Sequence, residues 1–191
     1  STLTIAANGT LSAPRGNLNV DDDLDINGTF TNNSGTTVLE PKTTNRSLYA
    51  NNASFYNLTI NDATSKRYIF RENITVENTF ANNANSVKTE IKNIEITIGT
   101  SSSAGSLTGK ELFTDNTGTT VIQGVSSLYP AVITATSTEN GTGPFGSSVA
   151  TAWQLKNLDV QTAVITAGDT ATYTLTGDCE FDAVTVSSGD T

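Results

Sequence analysis

The densest set of side chains able to do chemistry is the acidic run Asp21, Asp22, Asp23 and Asp25. Oxygen ligands in a row could hold calcium, and paired carboxylates at a suitable separation hydrolyse glycosidic bonds. Strand alternation puts Asp21, Asp23 and Asp25 together on a solvent face. The spacing of the calcium loop is absent, because Asp25 is followed by Ile26 and Asn27 with no glycine and distal glutamate in register. Solvated turn acids are the simpler reading. Asp178, Glu180 and Asp182 repeat the outward pattern and are read the same way. Cys179, the single cysteine, lies between two of these acids, which disfavour a thiolate, so it reads as a small apolar filler in the strand CEF. The chain has no histidine. That removes the commonest general base, the Ser/His nucleophile pair and most transition-metal sites. The glycines are isolated turn residues with no helix after them, and cradle no phosphate. Tyr49, Phe55, Tyr56, Tyr68, Phe70, Trp153 and Tyr173 could line a sugar-binding groove, since flat rings suit pyranose faces. Their places at the starts of strands in matching units read instead as stacked core or wall positions. No catalytic, cofactor-binding or metal-ligating residue is assigned, and no cofactor is expected.

What must position these side chains is a chain of many short strands. Only 36% of the 191 residues are apolar and 15% charged, the balance being made up by Ser, Thr, Asn and Gly. Threonine suits a pleated surface, while Asn and Gly accept left-handed turns. The regular supply of alternating Val, Ile, Leu and Phe argues against disorder. Leu18, Val20, Leu24 and Ile26 share one face, opposite Asn17, Asn19, Asp23 and Asp25; Ile91, Ile94, Ile96 and Ile98 alternate after one slip, and Val184 and Val186 close the series. No window has helical spacing with caps, so no helix longer than a turn is predicted. A net charge of −9 and a pI near 4.3, with the ten Lys and Arg scattered, disfavour nucleic acid and anionic membranes. No run approaches the ~20 apolar residues of a membrane-spanning helix. The first residues lack the pattern of a signal peptide, and the ending VSSGDT reads as the start of a turn, which suggests a piece of something longer.

The chain is self-similar. FTNNSGTTVL at Phe30–Leu39 recurs as FTDNTGTTVI at Phe113–Ile122, and DLDINGTFTNN at Asp23–Asn33 answers NITVENTFANN at Asn73–Asn83. YNLTI at Tyr56–Ile60 corresponds to KNLDV at Lys156–Val160. This order predicts two long β-repeat units, 1–86 with an N-terminal lead-in and 87–191 with a loop insertion at 137–150. Recurring NGT, NNS and SSG turns favour a coiled β-solenoid over a β-sandwich, because stacked coils align like residues into ladders. A coil of ~20–25 residues is expected for such a fold.

The runs DLDINGTFTNNSGTTVLE, SFYNLTINDAT and NITVENTFANN resemble the repeat language of parallel β-helix proteins on bacterial surfaces and of structural, fibre-like or decoration proteins of tailed bacteriophages. The ending CEFDAVTVSSGDT is similar to strand-turn segments of such phage proteins. The resemblance implies an elongated, trimeric or lattice-bound exterior protein, without a cofactor and without a catalytic motif to carry over. The expected function is thus a non-catalytic component of an extracellular assembly. A phage virion part (capsid decoration, fibre or tail-associated) is placed ahead of a bacterial adhesin or filament subunit, with a polysaccharide-cleaving spike third. Its expected partners are other subunits of the same assembly, copies of itself included, with cell-surface glycan as a further possibility and no nucleic acid or membrane.

Overall fold

The computed structural model describes residues 1–61, 66–83, 89–91, 93–110, 112–114, 118–136, 145–147, 152–161 and 172–182. These residues form a parallel β-solenoid of about six turns without helices. Each turn passes three faces. The first face stacks Leu3–Ile5, Leu24–Ile26, Arg46–Tyr49, Tyr68–Phe70, Thr89–Ile91, Leu112–Thr114 and Phe145–Ser147, all in parallel register. The third face begins at Asn17–Val20 and Thr36–Leu39 and ends at Leu158–Val160 and Glu180–Phe181. The second face begins with Thr10–Ser12 on Thr29–Thr31 and ends with Ala152–Lys156 on Thr172–Thr176. Two long strands, Ser54–Ile60 and Ile74–Asn82, run unbroken around the corner between the second and third faces.

Period-two alternation sends one set of side chains inward at every rung. On the third face Leu18, Thr37, Leu58, Phe80, Leu107, Ile133, Val160 and Phe181 follow one another in register through the molecule. All buried apolar side chains from Ile5 to Val160, Ala13 and Val38 apart, join one core cluster. Ile91, Ile94, Ile96 and Ile98 are all buried, and the slip between the first two is the corner at Asn93, whose φ is +51°. Asparagine serves the other corners similarly, with Asn33, Asn51, Asn52 and Asn157 also left-handed. Its short amide tolerates that conformation and bonds locally, where a β-branched residue would clash.

The recurring segments do not stack on one another. Phe30–Leu39 rounds the corner from second to third face, whereas Phe113–Ile122 joins a first-face strand to a second-face one. Asp23–Asn33 and Asn73–Asn83 are displaced by one corner in the opposite sense, from the first and second faces to the second and third, while Tyr56–Ile60 and Lys156–Val160 both reach the third face. Of the insertion at 137–150, residues 137–144 and 148–150 lie outside the described residues, as do Val184 and Val186; Phe145–Ser147 supplies the last described strand of the first face.

One ladder is interrupted. Between the second and third turns, the first and third faces pair normally, but Thr29–Thr31 makes no bridge to Ser54–Phe55 among the described residues. The Asn32 amide fills part of the gap, donating from Nδ2 to the Ser54 carbonyl at 3.3 Å.

Candidate functional site

The acidic run occupies the corner between the third and first faces, and its members diverge instead of lining one solvent face. Asp21 accepts from Lys42 Nζ at 2.7 Å. Asp22 pairs with the Arg46 guanidinium and with the amino group of Ser1, the latter at 2.7 Å. Asp23 Oδ1 accepts the Ser47 backbone N–H at 2.7 Å, and Asp25 Oδ1 accepts Asn27 Nδ2 at 2.7 Å. The amino-terminal hydrogen bond, with Arg46 assisting, holds the Asp22 carboxyl below its ordinary value, while the Asp21 bond holds Lys42 above its own. Beneath them Tyr68 is buried and donates its hydroxyl to the Asp22 carbonyl at 2.6 Å; burial, aided by the Asp23 and Asp22 charges, strongly raises its pKa. Among the described residues no three Asp, Glu, Cys or His side chains are placed to share a metal ion.

Of the aromatics, Phe55, Tyr68, Phe70 and Trp153 are core residues, stacked in pairs such as Phe70 on Phe80 at 5.7 Å and Phe145 near Trp153 at 5.4 Å. Tyr49 instead faces outward and is 41% exposed. The Trp153 Nε1 and the Thr120 Oγ1, on adjacent rungs of the second face, are buried without a hydrogen-bond partner among the described residues.

A class of polar residues that motif spacing does not single out emerges from the stacking. Glu77 Oε1 accepts from Ser54 Oγ at 2.5 Å and from Asn32 Nδ2 at 3.0 Å, so one carboxylate ties three turns together. Lys42–Asp21, Asn61–Glu40 and Asn78–Asn57 are further bonds between residues 21 apart in the chain, and the Asn51 amide N–H meets Glu72 at the same separation. A search for polar pairs recurring at coil length would have found them.

Among the described residues, the corner between the second and third faces carries two protruding loops. Gly99–Gly105 and Val125–Pro130 bulge from it on successive turns, with Leu128 at the second tip 76% exposed. Below that tip is a cleft lined by Ser127, Pro130, Leu158, Asp159, Gly177, Asp178, Cys179 and Glu180. Asp178 and Glu180 are exposed, Asp159 is half-buried, and Cys179 packs against the core just ahead of the strand Glu180–Phe181. The cleft offers negative charge to a cation. At the opposite end of the same corner stands Arg15, exposed beside Asn33 and Ser34.

No family profile, curated protein or solved structure matches the chain.

Proposed function

We propose that the protein is a non-catalytic structural subunit of an extracellular assembly, and specifically an exterior component of a phage virion such as a decoration, fibre or tail-associated part. The observation that carries this reading is the use made of the reactive side chains. The described carboxylates of the acidic run, with Glu40, Glu72 and Glu77, are engaged in bonds between turns or within a corner. The interior meanwhile is filled by apolar rows. Such a construction invests its chemistry in holding a rod together, which is the property an exterior scaffold requires. The repeat language shared with phage and surface β-helix proteins supports the choice of setting.

Antibodies against the chain, applied to purified phage particles and to host envelopes and viewed by immunogold electron microscopy, test the reading. Labelling on the particle exterior is the expected result, and labelling confined to the bacterial surface would replace the virion reading by the adhesin one. Incubation with host surface polysaccharide should release no new reducing ends. Their release, lost in Asp178→Asn or Glu180→Asn, would instead establish a cleaving spike.

A further inference from the structure

Among the residues whose surroundings are described, Tyr49 is the one exposed aromatic ring. It stands on the outside of the first face with bonded turns on both sides: Asp25 is in register with it on the turn before, and on the turn after the Arg71 N–H bonds the Leu48 carbonyl at 3.0 Å. Just beyond Tyr49 the chain enters the corner with the second face. That corner carries asparagine on four successive turns, at Asn27, at Asn51 and Asn52, at Asn73 and at Asn93. Asn51, Asn52, Arg71, Glu72, Asn73 and Asn93 line a shallow groove there, and all but Glu72 are exposed. The corner uses only part of this polarity for itself. Asn73 Oδ1 accepts the Glu95 N–H at 2.8 Å and Asn27 Nδ2 donates to Asp25 at 2.7 Å, while the other polar atom of each of these amides has no such bond among the described residues.

We propose that this stripe binds an extended neutral polysaccharide lying along the rod axis, with one sugar ring packed on Tyr49 and its neighbours' hydroxyls bonded by the asparagine amides of adjacent turns. An exposed phenol ring offers a flat, electron-rich face to the C–H side of a pyranose. An amide supplies both donors and an acceptor, as vicinal hydroxyls require, and has no charge to strip of water. Stacked rungs repeat these groups about every 4.8 Å, close to the length of one sugar residue in an extended chain, so successive residues meet successive turns. The fixed charges are of both signs, Asp25 and Glu72 with Arg71, and the two acids already accept from Asn27 and from the Asn51 N–H. Neither a polyanion nor a polycation is favoured by that balance. Such binding is independent of the scaffold role, which stands whether or not the stripe holds a glycan.

Surface plasmon resonance of the 191-residue chain on immobilised hexasaccharides of glucose, galactose, mannose and N-acetylglucosamine, with a heparin hexasaccharide as the anionic comparison, tests this. The expected result is binding to at least one neutral hexasaccharide, about tenfold or more tighter than to its own monosaccharide, because hydroxyls on neighbouring turns add contacts. Tyr49→Ala should weaken it about tenfold or more, and Tyr49→Phe should leave it within about twofold, since the ring makes the contact. Asn52→Asp, which keeps the tolerance for a left-handed corner, should weaken it about threefold or more by removing the amide donors. Leu128→Ser, on the corner between the second and third faces, should leave it unchanged, and circular dichroism of every variant should match wild type. In proton NMR the Tyr49 ring signals should shift as the bound hexasaccharide is titrated in, a readout that needs no variant. Absence of binding to every neutral hexasaccharide of the set, binding kept in full by Tyr49→Ala, ring signals that stay in place, or tighter binding of heparin than of any neutral probe would overturn the proposal. None of these outcomes touches the scaffold reading, which falls to new reducing ends from polysaccharide.

Discussion

Glu77 shows how much one side chain can do when the same position recurs each turn. Its carboxylate receives Ser54 and Asn32 from the two turns before it, where the second-face ladder is interrupted, and so replaces backbone bonds with side-chain ones. Removing it takes the acceptor from the partly buried Ser54 hydroxyl and leaves the Asn32 amide only the Ser54 carbonyl, at a cost of about 1–3 kcal/mol. Glu77→Ala should therefore lower the urea midpoint of unfolding, with Glu77→Gln lowering it less because its carbonyl oxygen still accepts. Asp22 gives a pH dependence. Its folded pKa lies below the ordinary 3.8, so its ion pairs contribute stability above that value, and the contribution is lost as pH falls through the lower folded value. Unfolding free energies measured from pH 6 downward should fall less steeply below about pH 4 in Asp22→Asn than in wild type. The gap should narrow in high salt, since the Ser1 amino group that bonds Asp22 is fully exposed.

At the level of the strands, the third face is continuous while the second is broken between Thr29–Thr31 and Ser54–Phe55. Amides whose ladder bonds are missing open without disrupting their neighbours. Hydrogen exchange should accordingly be faster at Phe30 and Ser54, whose backbone groups face the gap, than at Val38 and Thr59, although the Phe30 and Phe55 rings lie 5.2 Å apart across it. The all-β class and the inward residues were legible in the sequence because alternation survives each corner, as Leu18, Val20, Leu24 and Ile26 illustrate across Asp21–Asp23. The broken ladder was not legible, since Thr29–Thr31 alternates as well as any other strand and only its vertical neighbour differs. Polar contacts between turns were hidden for the same reason: Asn32, Ser54 and Glu77 belong to no local motif. The divergence of the acids followed from the corner itself, which turns Asp21, Asp22 and Asp23 toward separate partners where a straight strand would align alternate ones.

Across the whole molecule, each turn packs chiefly on those directly above and below it, with bonds such as Glu77–Asn32 and Tyr68–Asp22 reaching one turn further, so stability is close to a sum of turn and junction terms. Among the junctions whose three faces are all described, the one at the broken ladder has the fewest faces bonded. Leu24→Ala, in the core of the second turn, should cost about 2–5 kcal/mol. Because the loss falls on the head side of that junction, the head should melt before the tail. The single tryptophan, Trp153, lies buried near the tail and reports on that end alone. In Leu24→Ala its fluorescence should remain native at urea concentrations where circular dichroism already shows lost strand signal; coincident curves would show that the two ends unfold as one unit. The same geometry governs how the rod bears force. The ladder bonds lie along its axis, so tension from end to end loads the junctions in series and the poorest one carries the full pull. With only two of three faces bonded between its second and third turns, the protein has a built-in mechanical fuse near its head, which would part there and leave the longer tail segment wound.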